Sequence, residues 1–98
     1  MGAQQFTHEA TGKTPAAAFD TAQEDARHEY GHGGYTGTIA EKSGYRLLPV
    51  PDGENPRVFI TRWMDDDTPP AWFDDKWGPA ACIKTGEDEY TFFGWASS

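Results

Sequence analysis

An α+β fold is predicted by three observations: a strand-like alternation near the N-terminus, one long amphipathic helix behind it, and short β-prone runs separated by glycine and proline through the remainder. The expected architecture is a small antiparallel sheet of about five or six strands, with one main helix over about residues 15–32 packed on one face. Ninety-eight residues fit one domain, 1–98, large enough to bury a modest core without disulfides.

Residues 4–11 alternate Phe6, His8 and Ala10 against Gln5, Thr7 and Glu9, the period of a strand with one face partly buried, and Gly12 ends it. Thr14 followed by Pro15 is a helix start, because the hydroxyl accepts an orphan amide hydrogen bond and proline sits where its missing N–H costs nothing. Phe19, Ala22, Gln23, Ala26 and Tyr30 then fall in one helical stripe, with His28 nearly opposite Phe19. Gly31, Gly33 and Gly34 favour a helix end there.

Residues 35–42 and 45–50 carry a strand-like pattern across Ser43-Gly44 and are expected to pair as a hairpin. A polar loop over 51–56 precedes residues 57–63, where Val58, Phe59, Ile60 and Thr61 give the strongest β propensity in the chain. Residues 65–70 read as an acidic loop ended by proline, and 71–77 as one helical turn stopped by Gly78-Pro79. Residues 80–84 and 89–95, joined by Thr85-Gly86-Glu87-Asp88, form the expected terminal hairpin.

The formal net charge is −8, which repels phosphate backbones and argues against direct nucleic-acid binding; a basic protein surface is attracted instead. Aromatic residues make up 14%, four of them tryptophan, so a few large side chains supply much of the buried area. Cys82 is the one cysteine, which excludes an internal disulfide, and its apolar setting, Ala80-Ala81-Cys82-Ile83, reads as a buried hydrophobe. The opening residues lack the pattern of an export signal and no apolar run approaches membrane-spanning length, so a cytoplasmic setting without membrane insertion is expected.

His28-Glu29-Tyr30-Gly31-His32 matches the H-E-x-x-H pattern, in which two histidines one helical turn apart hold zinc beside a glutamate base. His28 and His32 are then the metal ligands and Glu29 the catalytic base of a zinc-dependent hydrolase, in resemblance to the zincin metallopeptidases. A third ligand is not selected by spacing: His8 is the remaining histidine, and Glu41, Glu54, Glu87 and Glu89 are the glutamates outside the first strand and helix. Gly31 weakens the helix that has to hold both imidazoles, and the further glycine and histidine of the metzincin signature are missing. The competing reading makes His28 and Glu29 solvent-side residues and His32 a helix C-cap, with no catalytic residue, no metal and no cofactor.

The glycine-rich stretch from Gly31 to Thr38 follows a helix, whereas a phosphate loop precedes one and carries a lysine that this stretch lacks. A pocket for a small nucleotide-type ligand near Tyr35 and Tyr45 is the alternative use of that turn. Trp63, Trp72 and Trp77 stand among Asp65, Asp66, Asp67, Asp74 and Asp75, a mixture of aromatic anchors and acids that suits a contact surface for a basic partner. The three consecutive aspartates lack the glycine and closing glutamate of a calcium loop.

Taken together, Gly31-His32-Gly33-Gly34-Tyr35-Thr36-Gly37-Thr38-Ile39-Ala40-Glu41-Lys42, Lys76-Trp77-Gly78-Pro79-Ala80 and Phe92-Phe93-Gly94-Trp95 resemble a group of small proteins encoded by actinobacterial phages. The resemblance implies the cytoplasm of an infected host cell, and a non-enzymatic accessory protein that binds and modulates a host protein. It transfers no functional residues. The partner, the substrate and the oligomeric state are left open by the sequence.

Overall fold

The computed structural model describes residues 2–30 and 37–97. Four strands and three α-helices follow in the order β1 (Ala3–Thr11), α1 (Pro15–Tyr30), a short 3-10 helix (Ile39–Glu41), β2 (Tyr45–Leu47), α2 (Pro56–Met64), α3 (Ala71–Asp74), β3 (Ala80–Gly86) and β4 (Glu89–Ser97). The strands form one mixed sheet in the order β1-β4-β3-β2, antiparallel except for the β2–β3 pair. The α+β class is as predicted; the five or six antiparallel strands and the single main helix are not.

Helix α1 begins as the Thr14-Pro15 signal requires, with the Ala17 amide donating to Thr14 Oγ1 at 3.2 Å. Ala18, Phe19, Ala22 and Ala26 are buried against Phe6, Ala10, Cys82, Tyr90 and Phe92, so small helix residues let the sheet aromatics approach closely. Phe92 packs on Phe19 with ring centroids 5.5 Å apart, and Tyr45 meets Phe92 edge-on at 5.8 Å. Strand alternation sends Ala81, Ile83 and Phe93 to the opposite face, where Phe59 and Phe73 bury with them. The central strands β3 and β4 are thus covered on both faces, by α1 on one and by α2 and α3 on the other.

The main correction falls on residues 57–63, expected as a strand and found as helix α2. The Asn55 side chain accepts from the Arg57 amide at 2.8 Å and Pro56 occupies the first turn, repeating the start signal of α1. Phe59, Ile60, Trp63 and Met64 then share one side and join the second core, while Val58 is left 53% exposed. Burial of that stripe outweighs the β preference of Val58, Ile60 and Thr61.

The hairpin expected over 35–50 is also replaced. Residues 35 and 36 lie outside the described residues, and Thr38 caps the 3-10 helix, whose backbone is satisfied locally by Glu41 N–H to Thr38 O and Lys42 N–H to Ile39 O, both at 3.0 Å. Tyr45–Leu47 pairs in parallel with the edge of β3 instead. The terminal hairpin forms as expected. Gly94 on β4 has a φ of 148°, a conformation that a residue bearing Cβ rarely adopts, and lies between Phe6 and Phe73. Among the described residues, no helix is long and apolar enough to cross a membrane.

Lys42 ties the layers together. It is 3% exposed, and its ammonium donates to the carbonyls of Gly78 at 2.9 Å, Lys76 at 3.2 Å and Asp75 at 3.4 Å. The Gln23 side-chain amide of α1 donates to the carbonyls of Ile39 and Lys42, fastening the 3-10 helix from the other side. Burial pushes the Lys42 amine down to about 8 from 10.5, opposed by the neighbouring Asp75 charge. Between those two values the unfolded chain binds a proton that the folded chain has released, so the contribution of this residue to stability rises with pH across that window.

Lys42→Met is expected to cost roughly 2–4 kcal/mol by removing the ammonium donor from three carbonyls, of which Asp75 keeps the Gly78 amide. Urea titrations of both proteins at pH 8 and pH 10 check the sign: the gap between wild type and variant widens toward the higher pH. Burial also pushes the Cys82 thiol up to about 12, so a thiol reagent should leave it unlabelled in the folded protein and label it stoichiometrically in denaturant.

Candidate functional site

The aromatic and acidic residues of 63–77 are gathered where α2 meets α3. Trp63 and Trp72 approach with ring centroids 5.7 Å apart, and Trp63 meets the buried Phe73 edge-on at 5.1 Å. Phe73 continues the stack to Phe93 of the sheet at 5.7 Å. Trp63 and Trp72 are partly buried, so much of their surface is spent on this packing. Arg46 covers the Trp72 ring, its guanidinium carbon 4.9 Å from the centroid.

Trp77 differs. It is 55% exposed, the highest value among the exposed large hydrophobic side chains of the described residues, and the Lys76 ammonium lies 5.4 Å from its ring centroid. Its backbone is held firmly: the Trp77 amide donates to Asp75 Oδ1 and the Gly78 amide to the Asp75 carbonyl, both at 2.9 Å. The Cβ of any other residue at Gly78 would collide with the Trp72 carbonyl, which lets this turn lie flat on α3. Lys42 closes the arrangement from beneath. A large apolar side chain is thereby presented on a fixed turn instead of being buried.

The acids of this segment are solvent-facing. Asp65 ends α2, with its amide donating to the Thr61 carbonyl at 2.9 Å; Asp66 Oδ1 accepts from the Thr68 amide at 2.9 Å; Asp67, Asp74 and Asp75 are exposed. Exposed carboxylates leave the surface charged at neutral pH and extend a negative field to approaching groups. The tryptophans and aspartates are legible in the sequence, whereas Lys42 and Arg46 are far from 63–77 along the chain and reach it only through the fold. Nothing in their local sequence distinguishes them from the other lysines and arginines.

His28 and Glu29 of the zinc pattern lie exposed near the end of α1, away from its buried stripe. His32, Tyr35 and most of the glycine-rich stretch lie outside the described residues. His8 on β1 has Nε2 3.9 Å from Asp25 Oδ2 of α1. Glu54 pairs with Arg62, and Glu89 accepts from Thr85 Oγ1 at 2.9 Å. Among the described residues, no group of three histidine, cysteine, aspartate or glutamate side chains is placed to hold a metal ion.

A cleft of about 660 Å³ opens on the other half of the second sheet face, between α2 and the strands, with Thr7, Glu9, Thr61, Thr85, Glu89 and Thr91 among its walls. The Thr85 and Thr91 hydroxyls lie 3.1 Å apart and Thr85 also donates to Glu89, so its floor is internally satisfied. The cleft is the polar continuation of the face whose apolar part is roofed by Phe59 and Phe73.

Packing and presentation separate the tryptophans in a measurable way. Trp72→Ala is expected to lower unfolding stability by about 2 kcal/mol, whereas Trp77→Ala stays within about 0.5 kcal/mol of the parent, as read by urea denaturation. Compared with models of known protein families, with curated proteins and with solved structures, the chain matches none.

Proposed function

We propose that the chain is a small acidic accessory protein, of the kind encoded by actinobacterial phages, that binds and modulates a host protein through its acidic and aromatic surface. The observation that carries this reading is Trp77, 55% exposed on a turn fixed by five hydrogen bonds to its backbone and set beside exposed Asp74 and Asp75. Exposing a tryptophan costs hydrophobic free energy, while binding a partner recovers it, and tryptophan is prominent among residues that dominate interface energetics. The surrounding carboxylates favour a basic partner surface and speed the encounter. Trp63 and Trp72 pack against each other where α2 meets α3, and Asp65, Asp66 and Asp67 add exposed carboxylates to the same segment.

In this reading no reaction is catalysed and no cofactor is required. The setting is the cytoplasm of the infected cell, where small proteins of this type meet host enzymes and defence components.

Capture from an actinobacterial lysate identifies a partner, after which purified components measure the affinity. Trp77→Ala combined with Asp74→Asn is expected to weaken that affinity roughly thirtyfold with the unfolding transition unchanged, and added salt should weaken the parent complex. An affinity indifferent to both changes places the contact elsewhere and removes this reading. Metal analysis after zinc-replete purification separates the hydrolase alternative: one zinc per chain, lost on substituting His28, would favour it instead.

A further inference from the structure

Strand β1 is an outer strand of the sheet, and among the described residues it pairs with β4 alone. Their register runs without interruption from Ala3 opposite Ser97 to Thr11 opposite Glu89. One step further, the Gly12 amide donates to the Asp88 carbonyl at 2.9 Å, which sets the phase of the ladder. Hydrogen-bonded and non-bonded pairs alternate along an antiparallel ladder, so Gln4, Phe6, His8 and Ala10 spend their backbone groups on β4. The N–H and C=O groups of Ala3, Gln5, Thr7, Glu9 and Thr11 consequently point away from it, along the outer edge.

Among the described residues, that edge lacks the devices that normally prevent strand addition. β1 is nine residues long and contains no proline, no lysine and no bulge. Its side chains at Gln4, Gln5, Thr7, Glu9 and Thr11 are exposed. The opposite edge is guarded: β2 has three residues and runs on toward Pro49 and Pro51.

We propose that β1 pairs with β1 of a second copy of this chain, antiparallel about a two-fold axis at Thr7. The strand itself selects this occupant. Its outward-pointing residues are centred on Thr7, so setting Thr7 opposite its own symmetry mate puts Gln5 opposite Glu9 and Ala3 opposite Thr11, and every outward donor meets an acceptor. Sliding the register by one such pair strands donors and acceptors at both ends.

The side chains agree with that register. On the α2 side a Gln5 amide faces a Glu9 carboxylate and the Thr7 hydroxyls face each other; on the α1 side Phe6 faces His8 and Gln4 faces Ala10. No like charges are opposed, although each chain carries −8 in total, because Glu9 is the one acid in the strand. The product is a closed two-fold dimer with one continuous eight-stranded sheet.

Sedimentation of the whole chain from micromolar to millimolar concentration tests this. Wild type is expected to show a monomer–dimer equilibrium. Thr7→Pro should fold normally, since the Thr7 N–H plays no part in the ladder with β4, and should remain monomeric. Thr7→Asp and Thr7→Lys should each self-associate more weakly, roughly fivefold or more, while their equimolar mixture recovers the dimer. That charge-swap pair decides the question even if the proline variant fails to fold. A wild type that stays monomeric throughout, or a dimer unaffected by all three substitutions, overturns the proposal.

Discussion

Lys42 places a positive charge where water is nearly absent, and the structure answers with three backbone carbonyls from the turn after α3. The exchange serves both parties. An ammonium taken from water needs acceptors, and the carbonyls of an irregular turn need donors that no ladder supplies. Because Gln23 holds the Lys42 and Ile39 carbonyls, one connected set of hydrogen bonds runs from α1 through the 3-10 helix to the turn that carries Trp77. Elements on opposite faces of the sheet are thereby fixed relative to one another. The lowered lysine pKa records the desolvation that this arrangement tolerates.

Two cores share the central strands. Toward α1 the helix contributes mainly alanine, and aromatic bulk comes from Phe6, Phe19, Tyr90 and Phe92; toward α2 and α3 the helices contribute Phe59, Trp63, Trp72 and Phe73. The first core is closed tightly, burying Cys82 completely and leaving its thiol chemically quiet. The second is broader, and the short helices roof only its apolar part, which leaves the threonine and glutamate cleft beside β1. Trp63 and Trp72 serve as roof on that side, and Trp77 is displayed.

The zinc pattern illustrates how a motif depends on its surroundings. Spacing sets two histidines a turn apart, but a catalytic centre also requires a third ligand brought in by another element. His8 stands on a different element and is near Asp25 of α1, and the candidate glutamates Glu54 and Glu89 are engaged with Arg62 and Thr85. The 63–77 surface has a different character: its parts are contiguous in sequence, Lys76 of the segment lies over the Trp77 ring, and the fold adds Arg46 from elsewhere over the Trp72 ring.

The sequence by itself determined the elements whose signals are local: the alternation of β1, the Thr14-Pro15 start and buried stripe of α1, the turn of α3 and the hairpin of β3 with β4. It also determined the candidate contact residues, since tryptophans and aspartates crowd one short segment. Residues 57–63 were settled as a helix by the tertiary structure, because the packing of Phe59, Trp63 and Met64 on the sheet outweighs the β preference of their neighbours, although the Asn55-Pro56 start is as local a signal as Thr14-Pro15. The parallel β2–β3 pair was likewise set by the free edge of β3, a partner far off in the chain. That Trp63 and Trp72 pack while Trp77 is displayed was also decided by the fold, which sets Lys42 against three carbonyls of the turn carrying Trp77 that no pattern along the sequence brings together.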